Sequence, residues 1–78
     1  MGKKELEAIR SKLIEELSEL TVELIKQHNR PHKDLMKKIS EEYGDVVYWM
    51  EKYRKHHALE NKLITKKIKE KKIKYGKV

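Results

Sequence analysis

An all-α fold follows from two observations on this 78-residue chain. Apolar residues recur at spacings of three and four over two long stretches, which places them on one side of a helix. No stretch alternates apolar and polar residues as a half-buried strand would. The single proline, Pro31, falls between the two stretches and divides them.

The first stretch predicts a helix over residues 3–28, with Leu6, Ile9, Leu13, Leu17, Leu20 and Leu24 as its stripe. The segment "HNRPHKD" ends it. Pro31 pushes Arg30 out of the helical region and suits the first turn of a new helix. A second helix is expected from about 32 to 55, with Leu35, Ile39, Val46, Met50 and Tyr53 facing inward. Asp34 then sits at its positive end. Met36 and Met50 read as packing residues. A third helix is expected over about 58–75, with Gly76 as a stop. The boundary segment "RKHHALEN" has neither Gly nor Pro, so one long helix over 32–75 is the alternative. Residues 1–78 read as a single domain, with a motif-bearing core at 12–54 and a basic C-terminal helix. An antiparallel hairpin this small has a thin core. A homodimer or homotetramer that completes a four-helix arrangement is therefore expected.

Charge is uneven along the chain. The net charge is +7, and eight lysines against one acid, Glu70, lie between Lys62 and Lys77. Such a segment suits a polyanion, either nucleic acid or the phosphates of a nucleotide, unless it is simply a solvated face. There is no cysteine. Disulfides and thiolate metal sites are thereby excluded, and a reducing compartment, the cytoplasm, is expected. No apolar run reaches membrane-spanning length, and no secretory signal is visible. Met1-Gly2 begins no myristoylation motif, because position 6 is Leu6.

Two acidic segments stand out, "EELSE" at 15–19 and "EEYGD" at 41–45. Measured from the centre of the first stripe, Glu16 lies roughly 65° and Glu19 roughly 125° to one side, while Glu15 faces nearly away. On the second helix Glu42 lies roughly 60° and Asp45 roughly 120° to that same side. Both pairs are i, i+3, and their midpoints are symmetric about the Arg30–Pro31 break. Folding antiparallel about that break brings Glu16, Glu19, Glu42 and Asp45 together. Two like charges 4 Å apart cost about 4 kcal/mol at an effective dielectric of 20. A divalent cation is the simplest compensation, and an all-oxygen donor set suits Mg²⁺, with Mn²⁺ as a substitute. Gly44, weak in a helix by about 1 kcal/mol against alanine, is read as room for a helix or ligand beside the acids. The bland alternative is a set of solvated acids on helices rich in Glu and Lys.

The same residues resemble a known signature. "EELSE" followed after 21 intervening residues by "EEYGD" is similar to the EExxE…ExxD pattern of the MazG-like all-α nucleoside triphosphate pyrophosphohydrolases. The flanking segments "LIEELSELTVELIK" and "ISEEYGDVVYWME" extend the likeness over residues 12–54. The resemblance implies hydrolysis between the α- and β-phosphates of a nucleotide, giving a monophosphate and pyrophosphate. It implies Glu16, Glu19, Glu42 and Asp45 as magnesium ligands. Glu15 also matches the motif and takes a supporting or partner-facing role. Lys38, one turn before Glu42, is a candidate phosphate contact. In the C-terminal helix Lys71 and Lys74 are further candidates, although "KEKKIKYGK" lacks the asparagine found there in the family.

Trp49 lies one turn beyond Asp45, as a base-stacking platform or as an aromatic closing the core edge. His28 and His32 straddle Pro31 and share no helix face, and His56 and His57 flank the second break. No glycine-rich phosphate loop and no Ser/His/Asp arrangement occurs. Two other functions compete with the hydrolase: a basic helical nucleic-acid-binding protein, and an oligomerisation module without catalysis.

Overall fold

The protein is described by a computed structural model that places residues 2–77; Met1 and Val78, the ends of the expected domain, lie outside the described residues. It contains three helices, α1 (Lys3–Asn29), α2 (Met36–His56) and α3 (Asn61–Tyr75), and no strand among the described residues. No helix is long and apolar enough to cross a membrane.

Local chemistry sets each boundary. At the start of α1 the Glu5 carboxylate accepts the Gly2 N–H at 2.7 Å. That is one half of a capping box, and Gly2 has no side chain to supply the other. The second helix begins at Met36, four residues later than Pro31 suggests. Gln27 accounts for the difference. Its Nε2 donates to the Lys33 carbonyl at 2.8 Å, and its Oε1 accepts the Leu35 N–H at 3.0 Å. With these backbone groups satisfied, residues 31–35 form a turn instead of a first helical turn. Asp34 still occupies the positive end, where its Oδ1 accepts the Met36 N–H at 3.0 Å.

The break between α2 and α3 is real, so residues 32–75 are not one helix. Ala58 takes the left-handed conformation at φ 49°, and the Leu59 N–H reaches back to the Arg54 carbonyl at 3.4 Å. This is a helix stop normally built with glycine. Just before it, the His57 ring stacks on Tyr53 at 4.1 Å, and its Nε2 lies 3.4 Å from the Leu6 carbonyl of α1. Gly76 ends α3 without left-handed backbone, at φ −62°.

α1 and α2 pack as the expected antiparallel hairpin, whereas α3 packs against neither. A side-chain bond from Arg54 Nη1 to Asn61 Oδ1, 3.0 Å, joins α3 to the end of α2. The radius of gyration is 15.3 Å. A compact chain of this length would have about 11.5 Å. The thinnest dimension is 15 Å, little more than one helix.

The seam of the hairpin runs along one edge of the stripes that apolar spacing predicts. Ile9, Leu13 and Val46 are its buried apolar residues, and Glu23 and Glu42 are buried beside them. Leu17 and Leu24 are 38 % and 50 % exposed, and Met36 and Met50, read as packing residues, are 54 % and 39 % exposed. The apolar band on each helix is wider than one contact can cover. The hairpin uses one edge of it, which turns Glu16, Glu23 and Glu42 inward and leaves the other edge bare.

Candidate functional site: a carboxylate cluster on the hairpin

Glu16 and Glu19 of α1 meet Glu42 of α2 halfway along the hairpin. One carboxylate oxygen from each lies within 4.8 Å of the other two. Glu42 is 7 % exposed, Glu16 is half-buried, and Glu19 is exposed. Seven residues separate Glu16 from Glu23 and four separate Glu42 from Val46, so each acid shares its helix face with a seam residue. Their inward direction therefore follows from the way α1 and α2 are rotated against each other.

Two buried oxygens, Glu16 Oε2 and Glu42 Oε2, have no hydrogen-bond partner. A buried acceptor without a donor costs about 1–3 kcal/mol, and more when charged. The other oxygen of Glu42 is partnered: Lys38 Nζ lies 3.3 Å from Glu42 Oε1. This contact and the charge of Glu42 hold the Lys38 ammonium above its ordinary pKa. Glu19 is also shifted upward. A proton on Glu19 bonds to Glu42, the negative charge of Glu16 opposes ionisation, and partial burial adds to both. One chain can share a proton within the cluster, but among the described residues Lys38 alone forms an ion pair with any of the three carboxylates.

The structure thus gathers Glu16, Glu19 and Glu42, and leaves Asp45 outside the group, exposed on the solvent side of α2. Glu15 faces away, as its angle implies, and pairs with Lys12 at 3.2 Å. Lys38 is at the site, but as the partner of Glu42. Lys71 and Lys74 lie on α3, which does not pack on the hairpin, so within one chain they are not at the acids. Trp49 is half-buried against Tyr48, with ring centroids 5.1 Å apart, and shares a shallow cleft with Ala8, Ile9 and Lys12. Residue 49 stands about 10 Å along α2 from Glu42. It closes the core edge and is not beside the carboxylates. Gly44 opens onto free space, since a Cβ there would meet nothing within 4 Å. Neither α1 nor α3 approaches it, so the expected close approach does not occur within the chain.

Glu23 lies on the same flank one turn past Glu19 but outside the motif, and sequence reasoning did not foresee its burial. It is as buried as Glu42, carries an ion pair to Lys26 at 3.3 Å, and lines a cleft with Glu19, Val22, Lys38 and Glu42. Its spacing of seven from Glu16 was the available signal.

The chain was compared with models of known protein families, with curated proteins and with solved structures, and nothing matched.

Proposed function

We propose that the carboxylate cluster binds a divalent cation and that the protein is a Mg²⁺-dependent nucleotide pyrophosphohydrolase. The observation that carries this reading is the pair of buried, unpartnered oxygens on Glu16 and Glu42, aimed into one group with Glu19. A hard cation fits an all-oxygen donor set of this kind, and the EExxE…ExxD resemblance supports the same residues independently of the geometry. Glu16, Glu19 and Glu42 would hold Mg²⁺, or Mn²⁺ in its place; Asp45, outside this group, enters as a further ligand only through the resemblance. The ion's contribution when bound is to neutralise phosphate charge and to lower the pKa of a coordinated water.

The chain's own residues supply the rest. Glu19 is the exposed member of the cluster, so its oxygen not engaged with the ion would be placed to take the proton of the attacking water. Water adds at the α-phosphorus, the bridging P–O bond to the β-phosphate breaks, and a monophosphate and pyrophosphate leave. Lys38 exchanges its contact with Glu42 for a phosphate oxygen. Glu15, bound to Lys12 on the outer face, has a supporting role at most.

A second copy of the chain covers the bare edge of the hairpin in this reading. Ile14, Leu17 and Leu24 on α1 and Tyr43, Val47 and Met50 on α2 are large apolar residues exposed by 38 % or more. The accessible surface is 6831 Å². A compact monomer of this mass would have about 5000 Å². Association into a dimer or tetramer of hairpins would bury the excess.

The test is pyrophosphate release from a panel of nucleoside triphosphates with Mg²⁺. Glu16→Gln, Glu19→Gln and Glu42→Gln are expected to lose at least about 100-fold in rate, the scale on which metal-site groups act. Glu41→Gln and Glu51→Gln, on exposed acids outside the cluster, are expected to stay within about twofold. The reading fails if no nucleotide yields pyrophosphate, or if Glu42→Gln retains the full rate.

A further inference from the structure

The charge of the protein is concentrated where the fold is least complete. Residues 1–60 contain twelve acids and twelve Lys plus Arg, so the whole net charge of +7 belongs to the segment that forms α3. α3 packs against neither other helix and has no buried residue. A free helix of 15 residues is marginal in water, and lysines four apart on one face repel by a few tenths of a kcal/mol per pair. Lys67, Lys71 and Lys74 form one such ridge, and Lys62, Lys66 and Lys69 form another on the opposite side. Only one acid, Glu70, relieves this, through its pair with Lys67 at 3.2 Å. α3 therefore lacks the two things that stabilise a helix, packing and balanced charge, and a polyanion supplies the second.

We propose that α3 is a sequence-independent nucleic-acid-binding arm, carried by the hairpin and engaging the phosphate backbone of a duplex. Lysines on both sides of the helix argue against a membrane surface. A helix lying in a bilayer interface needs a continuous apolar face opposite a basic one. Here Ile73, 78 % exposed, stands among Lys66, Lys69 and Lys77, well away from the narrow strip of Ile64 and Ile68. α3 has no Arg and no Gln to read base edges, and its one Asn, Asn61, is held by Arg54 at the helix start, so its lysines act as point charges on phosphates. The ammonium groups of Lys71 and Lys74 each lie 5.3 Å from the Tyr75 ring centre, within cation–π range. The proposal does not rest on the hydrolase reading.

Fluorescence anisotropy with a labelled 20-base-pair duplex tests it on the full chain. About four phosphates neutralised predicts an affinity loss on the order of 100-fold between 50 and 200 mM salt. Duplexes of unrelated sequence are expected to bind within about threefold of one another, because backbone contacts carry no sequence information. The triple variant Lys67→Gln, Lys71→Gln, Lys74→Gln is expected to bind at least about tenfold more weakly at 50 mM salt with a flatter salt slope. The matching variant Lys3→Gln, Lys4→Gln, Lys12→Gln removes the same charge from α1 and is expected to cost less than about threefold. Far-ultraviolet circular dichroism is expected to gain helix on addition of duplex to the wild type but not to the α3 variant. Equal losses for the two triple variants, no duplex binding at 50 mM salt, or tighter binding to vesicles of anionic phospholipid than to duplex would overturn the proposal.

Discussion

The hairpin and α3 are both lysine-bearing helical segments, yet their charges are arranged in opposite ways. On the hairpin, acids and bases balance, and acids occupy the buried seam: Glu23 and Glu42 are each 7 % exposed. On α3 the charge is positive except for Glu70, and it is entirely at the surface. The first arrangement concentrates negative potential at one point in a neutral body. The second spreads positive potential along a rod. The difference shows why a net charge of +7 describes neither region. In the proposed reading the first would attract a small cation and the second an extended anion.

The largest contrast should be in amide exchange. Slow exchange requires opening of packed structure, and α3 has none to open. Amides of α3 are expected to exchange at least about 100-fold faster than those around Leu13 and Val46. Comparable protection in all three helices would mean that α3 docks in solution, and the two-region description would fall.

Metal removal should act on the hairpin alone. Binding to the folded state raises stability by about 2.7 kcal/mol at a concentration 100 times the dissociation constant. Thermal unfolding is therefore expected to shift upward by several degrees on addition of millimolar Mg²⁺ or Mn²⁺, and to fall back with chelator. Glu42→Gln should be insensitive to both. An unchanged midpoint in the wild type counts against the site.

The carboxylates also predict a pH dependence. The Glu19 carboxyl is held above its ordinary value, because its proton bonds to Glu42 and Glu16 opposes its charge. Folded protein thus binds this proton more tightly than unfolded protein. Its stabilising contribution is full below the unfolded pKa and is lost as pH rises through the folded one. Without metal, the wild type should lose stability relative to Glu19→Gln as pH rises from mildly acid to neutral. Parallel stability curves for the two proteins would remove the coupling between Glu19 and Glu42.

The smallest effects concern two backbone positions filled against propensity. Ala58→Gly should stabilise α2 by about 1 kcal/mol, because glycine adopts the left-handed conformation without steric cost. Gly44→Ala should stabilise by about 0.5–1 kcal/mol, because its Cβ enters open space within a helix. Chemical denaturation measures both. A destabilising Gly44→Ala would show that something outside the chain lies against α2 at that point.

Much of the architecture was legible in the residues. Pro31 marked the first break, and the symmetry of "EELSE" and "EEYGD" about it placed three of the four acids correctly. Periodicity could not fix the rotation of α1 against α2. The stripe was centred near Leu13 and took in Leu17 and Leu24, but a band wider than one seam leaves the choice of edge to packing. That is why the burial of Glu23 was not foreseen and Met50 was misplaced. The break after His57 was expected, but its residues mark it only weakly, for another reason. It is made by Ala58 in a conformation its residue type disfavours, and it is fastened by His57 to Tyr53 and Leu6, a contact between residues 51 apart in sequence. The assignment of Lys71 and Lys74 to phosphate at the acids assumed that α3 folds back, which a helix with so little apolar surface has no driving force to do.

The most direct measurement is titration of the isotopically labelled protein with Mn²⁺, followed by paramagnetic broadening of backbone amide signals. Broadening is expected first, at substoichiometric Mn²⁺, at residues 15–20 and 41–46, around Glu16, Glu19 and Glu42. Signals of α3 should stay sharp, and Glu42→Gln should abolish the selectivity. Equal broadening at exposed acids such as Glu7, Glu51 and Glu70, or none at the cluster, would contradict a cation site on the hairpin.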